Sequence, residues 1–215
     1  MKVLFGRRQI EIGLEGLAER IRGHSPVHID VGTGSGRLML KHASKNPDGF
    51  YIGMDPSAQS MHENSLKAAK RRKKLELENL LFVVASIEAR LDELAGTADR
   101  ITVILPWGSL RDGIAKADFL VLSNLRKLGK PGSAFEVIVG YDERSEPVEM
   151  QKRSLPALSY EYFSAIAPVY RNVGIEIHGI DVVSSCELKK MESDWAKKLA
   201  YGGSRTMYRL NCTYI

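Results

Sequence analysis

The chain has little cysteine: two residues in 215, Cys186 and Cys212, spaced for neither a metal site nor a redox pair. That excludes a disulfide-stapled fold and fits a reduced, cytoplasmic protein. No apolar run approaches the roughly 20 residues of a membrane span, and Met1 to Arg8 holds no apolar stretch of a secretory leader. There is no internal repeat, low-complexity tract or long linker, so one domain over 1–215 is expected. The five histidines, His24, His28, His42, His62 and His178, are scattered. No metal site is expected, and no Cys/His or Ser/His set stands ready for nucleophilic catalysis. Tryptophan occurs only at 107 and 195.

What is present is an alternation of strand-like and helix-like segments, the signature of a parallel sheet covered on both faces. Strands are expected at Val27–Val31, Phe50–Met54, Leu80–Val84, Ile101–Leu105, Ala134–Val139, Ile175–Val183 and Arg205–Tyr214. Helices are expected at Leu14–Ile21, Arg37–Lys45, Ser57–Lys74, Phe119–Leu128, Tyr160–Asn172 and, at least in part, Leu188–Ala200. Residues 1–12 read as a small hairpin placed ahead of the main domain.

The first core strand runs from Val27 into Asp30 and then into Gly32, Gly34 and Gly36. Glycines there let the backbone turn tightly and approach a ligand that a Cβ would exclude. The spacing is GxGxG with an acid before it, which suits S-adenosylmethionine better than a dinucleotide. Asp30 is placed to face the cationic end of that cofactor. Asp55 ends the second strand about 20 residues on, where a carboxylate accepts from ribose hydroxyls. Asp-Pro-Ser is also a helix N-cap, and the two roles can coexist. Glu88 follows the third strand, either in a loop closing on the cofactor's adenine or as a solvated first-turn glutamate.

Leu105-Pro106-Trp107-Gly108-Ser109 follows the fourth strand, at the edge where ligands bind in such sheets. An aromatic between Pro and Gly reads as a flat face beside the cofactor or, as tryptophans usually are, as a core residue. Trp195 lies in Glu192-Ser193-Asp194-Trp195-Ala196-Lys197-Lys198. It reads either as a stacking platform with lysines for phosphates, or as the inward side of an amphipathic helix together with Leu199. The net charge of +5 and a pI near 9 suggest an anionic partner. Lys67 to Lys74 packs six cations into eight residues, enough for a phosphate backbone, although such runs also form solvated helix ends. Arg153, Arg205 and Arg209 are weaker candidates.

The glycine loop, Pro106-Trp107-Gly108-Ser109 and Trp195-Ala196-Lys197-Lys198-Leu199-Ala200 together resemble the 16S rRNA adenine-1408 N1-methyltransferases of aminoglycoside resistance. The resemblance runs nearly end to end and is closer to the NpmA-like branch. It implies a Rossmann-like class I S-adenosylmethionine-dependent methyltransferase, α/β, with a seven-stranded, mostly parallel sheet and an N-terminal β-hairpin. It implies cofactor contacts at Asp30, Gly32, Gly34, Asp55, Glu88, Leu105 and Ser109. Trp107 and Trp195 would hold the flipped adenine, with Ser193 nearby. Lys67, Lys70, Arg71, Arg153, Lys198 and Arg205 would dock a monomer on the 30S ribosomal subunit at the decoding site in 16S rRNA helix 44. Two positions depart from the pattern: Ser35, where the family usually has Asp, and Gly203, where the NpmA-like enzymes carry a basic residue. The alternative is a tRNA guanine-N7 methyltransferase or another RNA methyltransferase; the former should show an acidic Pro-Asp-Pro-Trp type motif where this chain has Leu105-Pro106-Trp107.

Overall fold

The computed structural model describes residues 1–72, 77–144, 146–191, 196 and 205–215. Its centre is a run of parallel strands: β3 (Val27–Val31), β4 (Phe50–Asp55), β5 (Leu80–Val84), β6 (Ala98–Ile104) and β7 (Gly129–Val139). β3 is buried at all five positions, as expected of a strand covered on both faces. Two antiparallel strands, β8 (Ile175–Val183) and β9 (Met207–Tyr214), finish one side, with β9 between β7 and β8.

These seven strands are the expected core, but the sheet does not stop there. The hairpin of β1 (Lys2–Phe5) and β2 (Arg8–Glu11) pairs antiparallel with β5 through Val3–Val83 and Leu4–Phe82. The sheet therefore has nine strands in the order β2-β1-β5-β4-β3-β6-β7-β9-β8. Val3 and Leu4 are both buried, one against each face, which joins the hairpin to the core instead of leaving it as an appendage.

Helices α1 (Leu14–Ile21), α4 (Gly108–Lys116), α5 (Phe119–Leu128) and α7 (Tyr160–Asn172) cover one face. Leu17, Ile114, Leu122, Leu125, Phe163 and Tyr170 pack there on Ile29, Ile101, Phe135 and Tyr214. The other face carries α2 (Arg37–Lys45) and α3 (Ala58–Arg72), which bring Met39, Ala43, Met61 and Ala68 onto Leu4, Tyr51, Leu80 and Phe82. Side chains cap α5 and α7: Asp118 and Ser159 accept from the backbone N–H of Val121 and Tyr162 at 3.0 Å each.

The structure moves several expected boundaries: the fourth strand begins at Ala98, not Ile101, and the last strand at Met207, not Arg205. Leu105 leaves the fourth strand with φ +52°, so that strand ends at Ile104. Helix α4 starts directly after Trp107, where no helix was expected. The fifth strand begins at Gly129, not Ala134, because a bulge opposite Ala98–Arg100 accommodates Pro131 within the strand. The helix expected at Leu188–Ala200 begins earlier, at Ser185, where Ser184 and Glu187 form a capping box. This helix, α8, spans Ser185–Lys190; residues 192–195 and 197–200 of the expected helix lie outside the described residues, and Ala196 is helical. A short helix, α6 (Pro147–Lys152), was also not foreseen. Among the described residues, no helix is long and apolar enough to cross a membrane.

Candidate active site

Four neighbouring parallel strands, β3, β4, β5 and β6, point their carboxyl ends at one cavity of about 610 Å³. Its walls include Asp30, Gly32, Gly34, Asp55, Glu88, Leu105, Trp107 and Ser109. The cavity thus gathers all seven expected cofactor contacts and one of the two tryptophans. A second cavity of about 570 Å³ opens under α2, behind Leu38 and Ile104, and contains none of these residues.

The glycine loop adopts left-handed backbone at Gly34 and Gly36, and at Gly36 a side chain has no room. Gly36 has φ +70°, and a Cβ there would overlap the Phe82 ring. Gly34 has φ +57° with nothing within 4 Å of a built Cβ, so its missing side chain opens the cavity. Gly34 N–H donates to Asp55 Oδ2 at 2.9 Å, while Ser57 N–H donates to Asp55 Oδ1 at 2.8 Å. Asp55 therefore ties the β3–α2 loop to the turn before α3 while lining the cavity; the N-cap expected of it falls instead to Ser57, whose Oγ accepts from Ser60 N–H at 3.3 Å. Ser35 contributes its carbonyl oxygen, which accepts from Asn64 Nδ2 at 2.8 Å.

Asp30 is 3% exposed, and its Oδ1 accepts from the Thr102 hydroxyl at 2.6 Å. Thr102 Oγ1 lies 3.0 Å from His28 Nε2. The hydroxyl has one proton and gives it to the carboxylate, so His28 Nε2–H must be the donor to Thr102. Burial pushes the Asp30 carboxyl up to about 6, against the hydrogen bond from Thr102. Burial, with the Arg100 charge nearby, holds His28 down to about 3, and the neutral Nε2–H form supplies the donor that Thr102 needs. A buried carboxylate of this kind is stabilised by a ligand cation.

Glu88 sits in the turn after β5, where Ser86 Oγ bonds to its Oε2. Its Oε1 is buried without a partner among the described residues, an acceptor in the cavity wall that a ligand amino group would satisfy. The amino group of S-adenosylmethionine suits Asp30, its ribose suits Asp55, and its adenine amine suits Glu88. The residues present fit that cofactor.

Trp107 stands at the mouth, half exposed. The Arg111 guanidinium lies 5.1 Å from its ring centre and 5.4 Å from that of Tyr141. Arg111 is buried and pairs with Glu146 Oε2 at 2.6 Å; Arg205 pairs with Glu146 Oε1, also at 2.6 Å. Arg153 is shared between Asp112 and Glu149 at 2.9 Å each. Two of the expected RNA contacts, Arg153 and Arg205, are thus bonded to carboxylates beside Trp107. Lys67, Lys70 and Arg71 lie exposed on α3.

Trp195, Ser193, Lys198 and Gly203 lie outside the described residues. Their neighbour Ala196 is fully buried in a small cluster with Leu105, Ile138, Val183, Leu188 and Met207. Thr102, His28, Arg111 and Glu146 were not read from the sequence as site residues. Thr102 had a signal, since it faces Asp30 in the β3–β6 register, and Arg111 follows Trp107 at the i+4 helical spacing. Glu146, in an irregular segment, had none. Among the described residues, no cluster of His, Cys, Asp or Glu is fit to hold a metal ion.

Comparison with known proteins agrees with this geometry. The family model of NpmA, 16S rRNA (adenine(1408)-N(1))-methyltransferase, matches residues 2–213. A 16S rRNA (adenine(1408)-N(1))-methyltransferase of Escherichia coli is 35% identical over 215 residues, 98% of this chain and 97% of its own. A solved structure of a variant of the corresponding enzyme from Catenulisporales acidiphilia, with its cosubstrate SAM, superposes with a TM-score of 0.90 at 29% identity. It covers 100% of this chain and 97% of its own. By contrast, a tRNA (guanine-N(7)-)-methyltransferase of a Synechococcus strain matches 60% of this chain and 54% of its own, at 36% identity. A cavity with the acids for S-adenosylmethionine and an indole at its mouth thus occurs in a chain matched from end to end: it belongs to the 16S rRNA (adenine(1408)-N(1))-methyltransferase family and is an S-adenosylmethionine-dependent rRNA methyltransferase.

Proposed function

We propose that this chain, as one unit and as a monomer in the cytoplasm, methylates N1 of adenine-1408 in helix 44 of the 30S subunit and so confers aminoglycoside resistance. The observation that carries this reading is the half-exposed Trp107 at the mouth of the cavity that gathers Asp30, Asp55 and Glu88.

S-adenosylmethionine supplies an electrophilic methyl group on a sulfonium. Asp30 holds the amino group of its methionine end, Asp55 its ribose and Glu88 its adenine, while Gly32, Gly34, Leu105 and Ser109 line the pocket. Adenine N1 carries an in-plane lone pair, so no general base is required. The target base must leave its stack, at a cost of roughly a few kcal/mol. Trp107 presents one flat face to the extruded base, and Trp195 the other, with Ser193 beside it. The burial of Ala196 in the cluster that holds Leu105 supports this pairing, because it brings the chain next to Trp195 close to the motif of Trp107. Such positioning accounts for much of the rate enhancement available to a reaction without acid–base steps. The methylated base is cationic, and indole faces favour that charge as it develops. Lys67, Lys70, Arg71, Arg153, Lys198 and Arg205 contact rRNA phosphates, the two paired arginines by exchanging carboxylates for phosphates.

The test is methyl transfer to purified 30S subunits, read by primer extension. The expected result is a new stop at adenine-1408, because a methyl group on N1 blocks base pairing. Methylation of tRNA but not of 30S subunits would overturn the reading.

A further inference from the structure

The turn between β1 and β2 rests on the same helix that carries the exposed lysines. A Cβ on Gly6 would lie 3.5 Å from Leu66 and 3.9 Å from Ala69 of α3. Ser65 Oγ donates to the Leu4 carbonyl at 3.1 Å, and Leu4 packs with Met61 and Ala68. The hairpin is therefore fixed to α3 over the stretch that holds Lys67, Lys70 and Arg71.

Arg7 lies in the turn and Arg8 opens β2 opposite Phe5; both are exposed, and neither has an ion pair among the described residues. Strand β2 exposes all four of its side chains, so packing does not explain its side-chain choices. The acid of the hairpin, Glu11, lies at the far end of β2, in register with Lys2. On α3, Lys67 pairs with Glu63 in an open i, i+4 contact with both side chains more than half exposed, a bond readily exchanged for phosphate. Arg71 Nη1 donates to Ser44 Oγ at 2.5 Å and keeps its charge unpaired by any described carboxylate.

We propose that Arg7 and Arg8 extend the α3 cations into one phosphate-binding surface, Arg7-Arg8-Lys67-Lys70-Arg71, that docks on the rRNA backbone at a site remote from the methyl-transfer cavity. The remoteness follows from strand direction. β1 runs antiparallel to β5, so its turn points toward the amino ends of the strands, away from Glu88 and Trp107. The guanidiniums sit at the turn end of a hairpin anchored to the sheet, which suits directed, bidentate phosphate contacts. The inference rests on the proposed function, since it names a second part of the surface that meets the same RNA.

The experiment compares wild type with the Arg7→Gln/Arg8→Gln double variant for binding to 30S subunits across a salt series, with S-adenosylmethionine affinity measured alongside. Removing one cation–phosphate interaction should lower the slope of log K against log salt by about 1. The double variant should therefore lose about 2 from the slope and about tenfold or more in affinity near 0.1 M salt. Cofactor affinity should not change, and Arg7→Lys/Arg8→Lys should recover most of the slope. A wild-type slope in the glutamine variant overturns the inference alone. Wild-type protein that neither binds nor methylates 30S subunits overturns the proposed function, and the inference with it.

Discussion

Arg111 and Glu146 form a buried ion pair at 2.6 Å directly beneath the Trp107 indole. The pair fixes the ring from below and leaves its other face to the mouth of the cavity. It also cancels a positive charge that would otherwise lie under a base turning cationic. Removing Glu146 leaves the buried Arg111 with Asp112 at 3.8 Å alone, at a cost of about 3 kcal/mol or more, whereas removing Arg111 leaves Glu146 paired with Arg205. Glu146→Gln is expected to lower kcat for 30S methylation at least tenfold while KM for the cofactor stays within twofold. Arg111→Lys should do the same, because an ammonium cannot cover two rings and hold a carboxylate together. Steady-state kinetics with both substrates varied checks this; a loss confined to cofactor KM would contradict it.

Trp107→Ala and Trp195→Ala are each expected to lower methyl transfer by more than a hundredfold, with S-adenosylmethionine affinity changed less than threefold. Titration of cofactor by calorimetry beside single-turnover transfer separates the two quantities. Equal loss of cofactor binding in both variants would remove the stacking role.

Cofactor binding should weaken as acid is added. Asp30 must be ionised to hold an ammonium, and its carboxyl is raised to about 6 in the free protein. Above that pH, affinity should be flat. Below it, affinity should fall by up to tenfold per pH unit, with a proton released on binding. Thr102→Val removes a hydrogen bond to the ionised form, so its break point should move to higher pH. A calorimetric series from pH 5 to 8 in buffers of different ionisation enthalpy reads both effects.

His28 and Asp30 pull stability in opposite directions. His28 is held down to about 3, below its unfolded value of 6.5, so the stability it contributes is present above about pH 6.5 and is lost as pH falls toward 3. Asp30 is raised from 3.8 to about 6, so the folded state binds its proton first and gains stability as pH falls through that window. His28→Phe should cost about 1 kcal/mol at pH 7 for the lost hydrogen bond. That deficit should shrink at pH 4.5, because the variant has no imidazole to protonate. Melting temperatures at the two pH values give the comparison, and a constant deficit would show that His28 is not held neutral by the fold.

Two glycines of one loop should fail differently. Gly36→Ala drives a methyl group into Phe82 and should destabilise the protein severely. Gly34→Ala meets no atom within 4 Å, so its cost should be about 1–2 kcal/mol of backbone strain, with a much larger loss of cofactor affinity. Denaturation and cofactor titration on both variants test the contrast.

The glycine loop, Asp30, Asp55 and Glu88 were legible in the sequence because a strand end and a tight turn constrain residue type over short spacings. The core strands were legible as short apolar runs. Less legible was everything set by long-range pairing. The hairpin's place in the sheet depends on Val3 meeting Val83, far along the chain. Arg153 and Arg205 read as free cations because nothing local reveals Asp112 and Glu146 folding against them. Helix α4 was missed because Pro106 and Gly108 read as loop, whereas Pro and Gly here set up the helix start beside Trp107.

Asp55 spends one oxygen on Gly34 and the other on Ser57. Two loops that would otherwise have to be ordered by an arriving ligand are already stapled to each other through one carboxylate. The donor half of the enzyme is thus preorganised, and encounter with cofactor should be set by diffusion and not by rearrangement. The decision of when a methyl group moves falls to the acceptor half, where the RNA must supply what the protein alone leaves open.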